Sequence, residues 1–356
     1  MTRERSSTTR SAIGVHSAIG TQVAIGVQVA IGVQLAIGVA TAAALSACAL
    51  FGSEPESSRA RASQPSEEMM FDDFTYTSAA EAERNGWILR TAAGWPGVPG
   101  AIWTDNVEIG VVDPADASNR LARMTASTDG TTTRQAQFCH QRKYFEGTYA
   151  ARVRWSDAPA PRAGANTGAN DATAGPDGDK SVQTFYLISP LKAPLDTDYS
   201  ETDFEYLPNG GWGSGDLTLF TTTWETFHPE PKWLQINTST NTQGSRAGWH
   251  QLTLQIANGE VTYFIDDEKH ATHGGPYYPE EKMSINFNLW FIAGELVKSS
   301  MPRRYVQDVD WAYHAVGRVM TPAAVRAEVA RYRRTGVGFR DTVAADSPGL
   351  ESPCNF

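Results

Sequence analysis

Short segments that alternate apolar and polar residues run through the chain from Met70 to about Val319, and turn-forming residues separate them. Between two of these segments stands Asn258-Gly259, a dipeptide typical of tight β-hairpin turns. We predict strands over 145–155, 182–188, 216–223, 251–256, 261–265, 284–291 and 306–316. Strands and turns at this regular spacing predict one large antiparallel β-sandwich over 70–319 rather than two domains.

Two segments interrupt or follow the strand pattern. Residues 156–180 are rich in Ala, Gly, Asn, Asp and Pro, which predicts a disordered surface loop inserted between strands. After the sandwich, Thr321 and Pro322 form a helix start and Gly336 a helix stop, with apolar residues repeating on one face between them. We therefore expect residues 320–356 to form a C-terminal helix and a tail that pack on the sandwich.

The beginning of the chain has the pattern of an export signal. Three arginines lie within the first ten residues, and no Asp, Glu, Lys or Arg follows until after Leu50. The apolar run ends in Leu45-Ser46-Ala47-Cys48, which resembles a bacterial lipobox and implies lipidation of Cys48. An uncleaved membrane anchor is the alternative, because the run is long enough to cross a bilayer. We predict a signal over 1–47, a flexible tether over 48–69, and an extracellular domain that is envelope-anchored or secreted.

Charge content limits the binding partners that we expect, and cysteine content limits the covalent bonds. The whole chain carries a net charge of −10, and without residues 1–47, which contribute +2, the remainder carries −12. Such acidity argues against nucleic-acid binding. If Cys48 is lipidated, Cys139 and Cys354 remain, either as a disulfide or as two buried thiols. Metal-ligand spacing is missing from the sequence, so we expect no catalytic metal and no other cofactor, while a structural calcium ion stays open. We also expect a monomer.

Three carboxylates lie at strand spacing in Glu201-Thr202-Asp203-Phe204-Glu205. Side chains alternate along a strand, so the three acids share one face while Thr202 and Phe204 point into the opposite layer. Crowded acids raise the pKa of at least one of them, which leaves a proton donor beside an ionised carboxylate. That pair is the requirement of glycoside hydrolysis. The alternative is a solvent-exposed acidic edge strand.

The acidic segment and several later segments resemble glycoside hydrolase family 16. The similar stretches follow in the family's order: Phe71-Asp72-Asp73-Phe74, Glu201 to Leu207, Gly248 to Leu252, Tyr263 to Asp267, Asn286 to Trp290, and Val309-Asp310-Trp311. The resemblance implies an all-β, concanavalin A-like jelly roll of two curved antiparallel sheets. It also implies that Glu201 is the nucleophile, Glu205 the acid and base, and Asp203 the acid that tunes both.

The same resemblance implies a retaining, endo-acting enzyme that cleaves a β-linked polysaccharide. The unbulged form of the acidic motif is similar to lichenases and xyloglucan-active transglycosylases, which favours a β-glucan. Where many family members carry a Trp-rich stretch before the acids, this chain has Phe185 to Pro190, which leaves the donor-side sugar contacts unassigned. A glycan-binding, lectin-like module and a transglycosylase that uses the same residues are the alternative functions.

Aromatic faces are expected to bind the sugar, because sugar rings present apolar C–H patches that stack on indole and phenol rings. Asn288 and Trp290 match family positions that line the cleft. Five further candidates are less closely tied to the family pattern: Tyr206, Trp212, Trp224, Trp233 and, with core packing as the equal alternative, the loop residue Trp103.

Overall fold

A computed structural model describes residues 67–161 and 175–354 of the chain. The predicted export signal, the lipidation site Cys48 and nearly all of the predicted tether lie outside the described residues. So does the central part of the predicted loop, residues 162–174. Between Glu67 and Cys354, β-strands are the main secondary structure of the described chain, and helices are few and short.

The strands follow the alternating segments of the sequence. Those in the first half are β1 (Met69–Asp72), β2 (Trp87–Leu89), β3 (Val107–Asp113), β4 (Asp116–Thr128), β5 (Thr133–Arg134), β6 (Ala136–His140), β7 (Gly147–Trp155), β8 (Ser181–Ile188) and β9 (Glu201–Leu207). The others are β10 (Thr218–His228), β11 (Leu234–Gln243), β12 (Gly248–Ala257), β13 (Glu260–Ile265), β14 (Glu268–Gly274), β15 (Ser284–Phe291), β16 (Arg303–Val316) and β17 (Phe339–Asp341). The helices are α1 (Ala79–Arg84), α2 (Pro322–Arg334) and a 3-10 turn at Gly275–Tyr277.

Two antiparallel sheets pack face to face. The larger sheet has the order β14-β13-β12-β7-β16-β1-β17, with β4 also paired to β16 and with β3 and β5 paired to β4. The smaller sheet has the order β11-β10-β9-β8-β15-β6-β2. Alternate side chains of both sheets fill an apolar core, in which the Phe287 ring stacks on Phe138 and on Phe185. The prediction of an all-β jelly roll of two antiparallel sheets with a C-terminal helix is confirmed.

The predicted hairpin is present between β12 and β13. Asn258 and Gly259 both adopt positive φ angles, 56° and 79°, as the two central residues of a type I′ turn require. Ala257 and Glu260 pair across the turn. Asn and Gly tolerate this left-handed backbone, which explains why the dipeptide was a reliable sequence signal.

Helix α2 starts and packs as its sequence predicts. The Thr321 side chain accepts a hydrogen bond from the backbone N–H of Ala324 at 3.2 Å and so caps the helix. Val325, Val329 and Tyr332 are buried, and the Tyr332 ring stacks on Phe71 of β1 with ring centroids 5.0 Å apart. The helix therefore covers the outer face of the larger sheet. Neither helix of the described residues is long and apolar enough to cross a membrane.

The described ends of the predicted loop, 156–161 and 175–180, contact the sandwich, while the prediction of disorder over 162–174 lies outside the described residues. At the far end, Asp179 is fully buried and accepts hydrogen bonds from the Arg303 guanidinium at 2.6 Å and from the Tyr305 hydroxyl at 3.1 Å. At the near end, Asp157 accepts a hydrogen bond from the Tyr206 hydroxyl at 2.5 Å. Composition alone did not reveal these partners, because they lie far away in the sequence.

Candidate active site

Strand β9 places its three acids on the face of the smaller sheet that points away from the core, here called the cleft face. On the core side, Phe204 is 1% exposed and packs against Phe185 at 6.1 Å and against Tyr263 at 5.2 Å between ring centroids. Since β9 is a regular strand from Glu201 to Leu207, burial of Phe204 forces its neighbours Asp203 and Glu205 to the opposite side.

Strands β8 and β10 flank the acids in a defined register. Glu201 lies opposite Ile188 and Trp224, and Asp203 lies opposite Tyr186 and Thr222. Paired residues of an antiparallel ladder point to the same face, so the acids have Tyr186 on one side and Trp224 on the other. The site is therefore a row of carboxylates between two aromatic side chains.

Hydrogen bonds hold two of the three carboxylates in position. The Tyr199 hydroxyl donates to Glu201, and the Trp224 indole N–H donates to Asp203 at 2.8 Å. Asp203 also shares a hydrogen bond with Glu201. Glu205 has no corresponding protein donor among the described residues. Glu201 and Asp203 are thus tied into a network, while Glu205 remains available to a bound molecule.

All three acids hold their protons more tightly than free carboxyl groups do. Burial raises the pKa of Glu201 from 4.5 to about 7. Burial, and then the charge of Glu201, raise the pKa of Glu205 from 4.5 to about 8. The pKa of Asp203 lies well above its usual value because of burial and the charges on both neighbours, although the Trp224 hydrogen bond opposes this shift. Near neutral pH the row therefore combines protonated and ionised carboxyl groups.

A narrow pocket of about 60 Å³ opens over the three acids. Asn288 and Trp290 of β15 line it, as the sequence predicts. Asn288 is 2% exposed, and its side-chain oxygen has no partner among the described residues. Buried polar atoms are almost always hydrogen-bonded, so this oxygen is available to a hydroxyl group of a ligand.

Three of the other predicted aromatics reach the cleft face or its edge. Trp224 binds Asp203, as described above. Trp212 is 52% exposed, and its ring centroid lies 6.1 Å from that of Trp290, so the pair forms a platform beyond Glu205. Trp233 is 42% exposed and lies beyond Glu201, with its ring centroid 5.6 Å from that of Phe227. Aromatic surface is thus present at both ends of the acidic row.

Two predicted binding residues, Tyr206 and Trp103, are buried and do not line the pocket over the acids. Tyr206 is fully buried on the core side of β9 and stacks on Trp155 at 5.4 Å, because alternation turns it away from Glu205. Trp103 is 1% exposed, lies against the Arg90 guanidinium at 3.8 Å and donates its N–H to the Gly94 carbonyl at 3.2 Å. For Trp103 the core alternative applies, because its ring covers a buried cation.

Sequence reasoning missed several residues that the structure brings to the site. Tyr199 lies two residues before Glu201, and Tyr186 pairs with Asp203 across the sheet, so the alternation pattern could have found both. Pro353 lines the pocket over the acids but comes from the C-terminal tail, where no local pattern marks it. Trp95 lines the same pocket from a Gly- and Pro-rich loop, a setting that favours cleft contact and a structural role equally. Phe227 joins the cleft face through a register shift between Trp224 and Thr226, which a sequence pattern does not show.

Cys139 and Cys354 are joined by a disulfide in the structure. In the part of the chain that the structure describes, no group of three or more His, Cys, Asp or Glu residues is arranged to hold a metal ion. Asp310, a buried acid of β16, is instead ion-paired with Arg152 at 2.7 Å and with Arg333 at 2.8 Å. The absence of cofactors stays a prediction.

Comparison with known proteins gives similarity in structure only. No protein-family model and no curated protein sequence matches the chain. The Bacteroides ovatus mixed linkage glucan GH16 structure, with a product bound, is 15% identical, covers 68% of this chain and 98% of its own, and has a TM-score of 0.50. A β-glucanase of Bacillus licheniformis is 11% identical over 70% of this chain and 99% of its own, with a TM-score of 0.48. A laminarinase from a Flavobacterium species is 15% identical over 69% and 98%, with a TM-score of 0.47. At such low identity the Bacteroides ovatus structure supports the fold, a jelly roll of two sheets, and nothing beyond it.

Proposed function

We propose that this chain is a retaining, endo-acting glycoside hydrolase that cleaves a β-linked polysaccharide, with a β-glucan as the favoured substrate. The observation that carries the proposal is the row of Glu201, Asp203 and Glu205 on the cleft face, with raised pKa values and ordered hydrogen bonds. The similar Bacteroides ovatus structure belongs to a mixed linkage glucan system, which agrees with this substrate class. The exported, lipid-anchored location expected from residues 1–48 belongs to the same proposal.

Glu205 is suited to the acid role. Its pKa of about 8 keeps it protonated at neutral pH, so it can donate its proton to the glycosidic oxygen as the C–O bond breaks. A carboxylate oxygen of Glu201 then bonds to the anomeric carbon and forms a glycosyl ester. Tyr199 and Asp203 hold Glu201 in place for this attack through their hydrogen bonds.

The coupling between the two glutamates supports the second half of the reaction. The charge of Glu201 is one of the two causes that raise the pKa of Glu205. When Glu201 becomes an ester it loses that charge, so the pKa of Glu205 falls and its carboxylate can accept a proton from water. The resulting hydroxide attacks the anomeric carbon, and the ester bond breaks to release Glu201. One residue thereby serves first as acid and then as base.

Substitution of the two glutamates tests the proposal. We expect Glu205→Gln to lower the rate of polymer hydrolysis by about 10²- to 10⁴-fold, since it removes the proton donor. Glu201→Gln removes the nucleophile, and we expect a loss at least as large. Glu225→Gln, on the neighbouring strand β10, is the matched control and should leave the rate within about twofold. Near-normal turnover in either active-site variant would contradict the assignment.

A panel of polysaccharides with reducing-end detection identifies the substrate. Hydrolysis gives shorter products, and transfer to an added oligosaccharide acceptor gives longer ones. Retention is read from the anomer that forms first, by NMR of the fresh product. Binding to a polysaccharide without any change in chain length would favour the lectin-like alternative instead.

A further inference from the structure

We propose that the C-terminal segment 350–354, held by the Cys139–Cys354 disulfide, forms one wall of a second binding site beside the acids, and that this site takes an uncharged sugar unit. The inference deepens the proposed function and rests on it for the identity of the polymer. The site is a cavity of about 520 Å³, here called the aromatic cavity, lined by Trp95, Tyr199, Phe227 and Trp233 among others. Its size lies within the range of ligand sites in proteins.

The aromatic cavity is continuous with the pocket over the acids. Trp95, Ile188 and Pro353 line both spaces. Tyr199 links them as well, because its ring lines the cavity while its hydroxyl donates to Glu201. A sugar unit in the cavity is therefore a near neighbour of a unit that lies over Glu201 in the same glycan chain.

The rings of the cavity form a connected and accessible surface. The Trp95 and Phe227 rings lie 6.4 Å apart at an interplanar angle of 27°, and Phe227 lies 5.6 Å from Trp233. Trp95 is 62% exposed and Trp233 is 42% exposed. Two tryptophan faces open to water beside a cavity mark a binding surface, and a sugar ring has the apolar C–H face that stacks on them.

The disulfide explains why the tail reaches this place. Cys139 lies two residues after Gln137 on β6, and Gln137 pairs with Asn288, so Cys139 points to the cleft face. A bond from Cys139 therefore draws Cys354 onto that face. Leu350 also bridges to Arg142 next to β6. With both of its ends held, the segment presents Glu351 and Pro353 to the aromatic cavity.

Charge limits what the cavity accepts. In the part of the chain that the structure describes, its charged lining residues are Glu230 and Glu351, both carboxylates. Carboxylates accept hydrogen bonds from sugar hydroxyls but repel sulfate and uronate groups. The three acids of β9 add to the same repulsion. The ligand is therefore an uncharged sugar unit.

Calorimetric titration of a mixed-linkage β-glucan tetrasaccharide into full-chain Glu205→Gln protein tests the cavity without turnover. In this background we expect Trp95→Ala and Trp233→Ala each to raise the Kd about three- to tenfold, since each removes one stacking face. Leu234→Ala is the matched control, because Leu234 is 50% exposed next to Trp233 and does not line the cavity. An unchanged Kd in both tryptophan variants, or no binding of the tetrasaccharide at all, would overturn the inference.

The tail is tested by Glu351→Ala combined with Pro353→Ala, which keeps the disulfide and removes the wall. We expect the Kd of the tetrasaccharide to rise at least threefold while the melting temperature stays near that of the parent protein. A carrageenan-type sulfated tetrasaccharide should bind at least tenfold more weakly than the neutral one; equal binding would contradict the charge argument. If the parent protein cleaves polymer but the cavity substitutions leave the Kd unchanged, only this inference fails. If the cavity substitutions raise the Kd but the parent protein does not cleave polymer, only the proposed function fails.

Discussion

Glu205 and Glu201 differ in environment although they lie on the same strand face. Glu201 accepts a hydrogen bond from Tyr199 and shares one with Asp203, whereas Glu205 lies next to a negative charge and has no donor within 67–161 and 175–354. Hydrogen bonds favour the ionised form of a carboxyl group, while burial and like charges favour the protonated form. The different neighbours of the two glutamates thus favour the ionised form of the nucleophile Glu201 and the protonated form of the proton donor Glu205.

The raised pKa of Glu205 predicts a pH dependence of stability. Between pH 4.5 and about 8 the folded chain holds a proton on Glu205 that the unfolded chain has lost. The stabilisation is fully present below pH 4.5 and is lost as the pH rises through about 8. We therefore expect the melting temperature to fall less between pH 5 and pH 8 in Glu205→Gln than in the unmodified protein. Parallel melting curves across this range would contradict the raised pKa.

At the scale of the element, adjacent residues of β9 have different roles, because their side chains point to opposite faces of the sheet. Phe204 packs into the core, and we expect Phe204→Ala to lower the free energy of unfolding by about 3–5 kcal/mol because it leaves a cavity. Glu205→Gln should instead abolish activity with little loss of stability near pH 5, where both side chains are uncharged. Denaturant unfolding of the two variants under the same conditions separates these effects. A Phe204→Ala variant as stable as the parent would mean that β9 has a different register.

Helix α2 depends on its cap for the first turn. We expect Thr321→Ala to cost about 1 kcal/mol of unfolding free energy, because the backbone N–H of Ala324 loses its acceptor. Thr321→Ser keeps a hydroxyl at the same position and should restore most of that loss. Since α2 covers the sheet opposite the cleft face, polymer hydrolysis should not change in either variant below the melting temperature. A loss of activity at full folding would point to a link between α2 and the site.

At the scale of the molecule, one covalent bond joins the end of the chain to the smaller sheet. The disulfide spans 215 residues, and a cross-link over such a long loop restricts the unfolded chain strongly. We expect the double variant Cys139→Ser with Cys354→Ser to be less stable by about 2–5 kcal/mol in denaturant unfolding. Unfolding the parent protein in the presence of a reducing agent should give the same loss. If reduction had no effect, the two cysteines would not be bonded in solution.

The sequence predicted the acidic row well and the rest of the site poorly. Strand alternation alone predicts the shared face of Glu201, Asp203 and Glu205, and the same rule places Tyr206 on the opposite face. For Trp103, a Gly- and Pro-rich loop does not distinguish cleft contact from core packing, because the buried partner Arg90 is visible only in the structure. The contacts at both ends of the 156–180 loop are hidden from the sequence for the same reason.

The sequence by itself determined the strands, the β12–β13 turn, helix α2 and the common face of the three acids, since each follows from local backbone geometry. Tertiary structure alone decided which further residues join Trp224 and Trp290 around those acids. Trp95 and Pro353 come from opposite ends of the described chain, and Phe227 reaches the cleft face through a register shift in β10. Such contacts depend on sheet order, on a bulge and on a disulfide, and none of these is encoded within a few neighbouring residues.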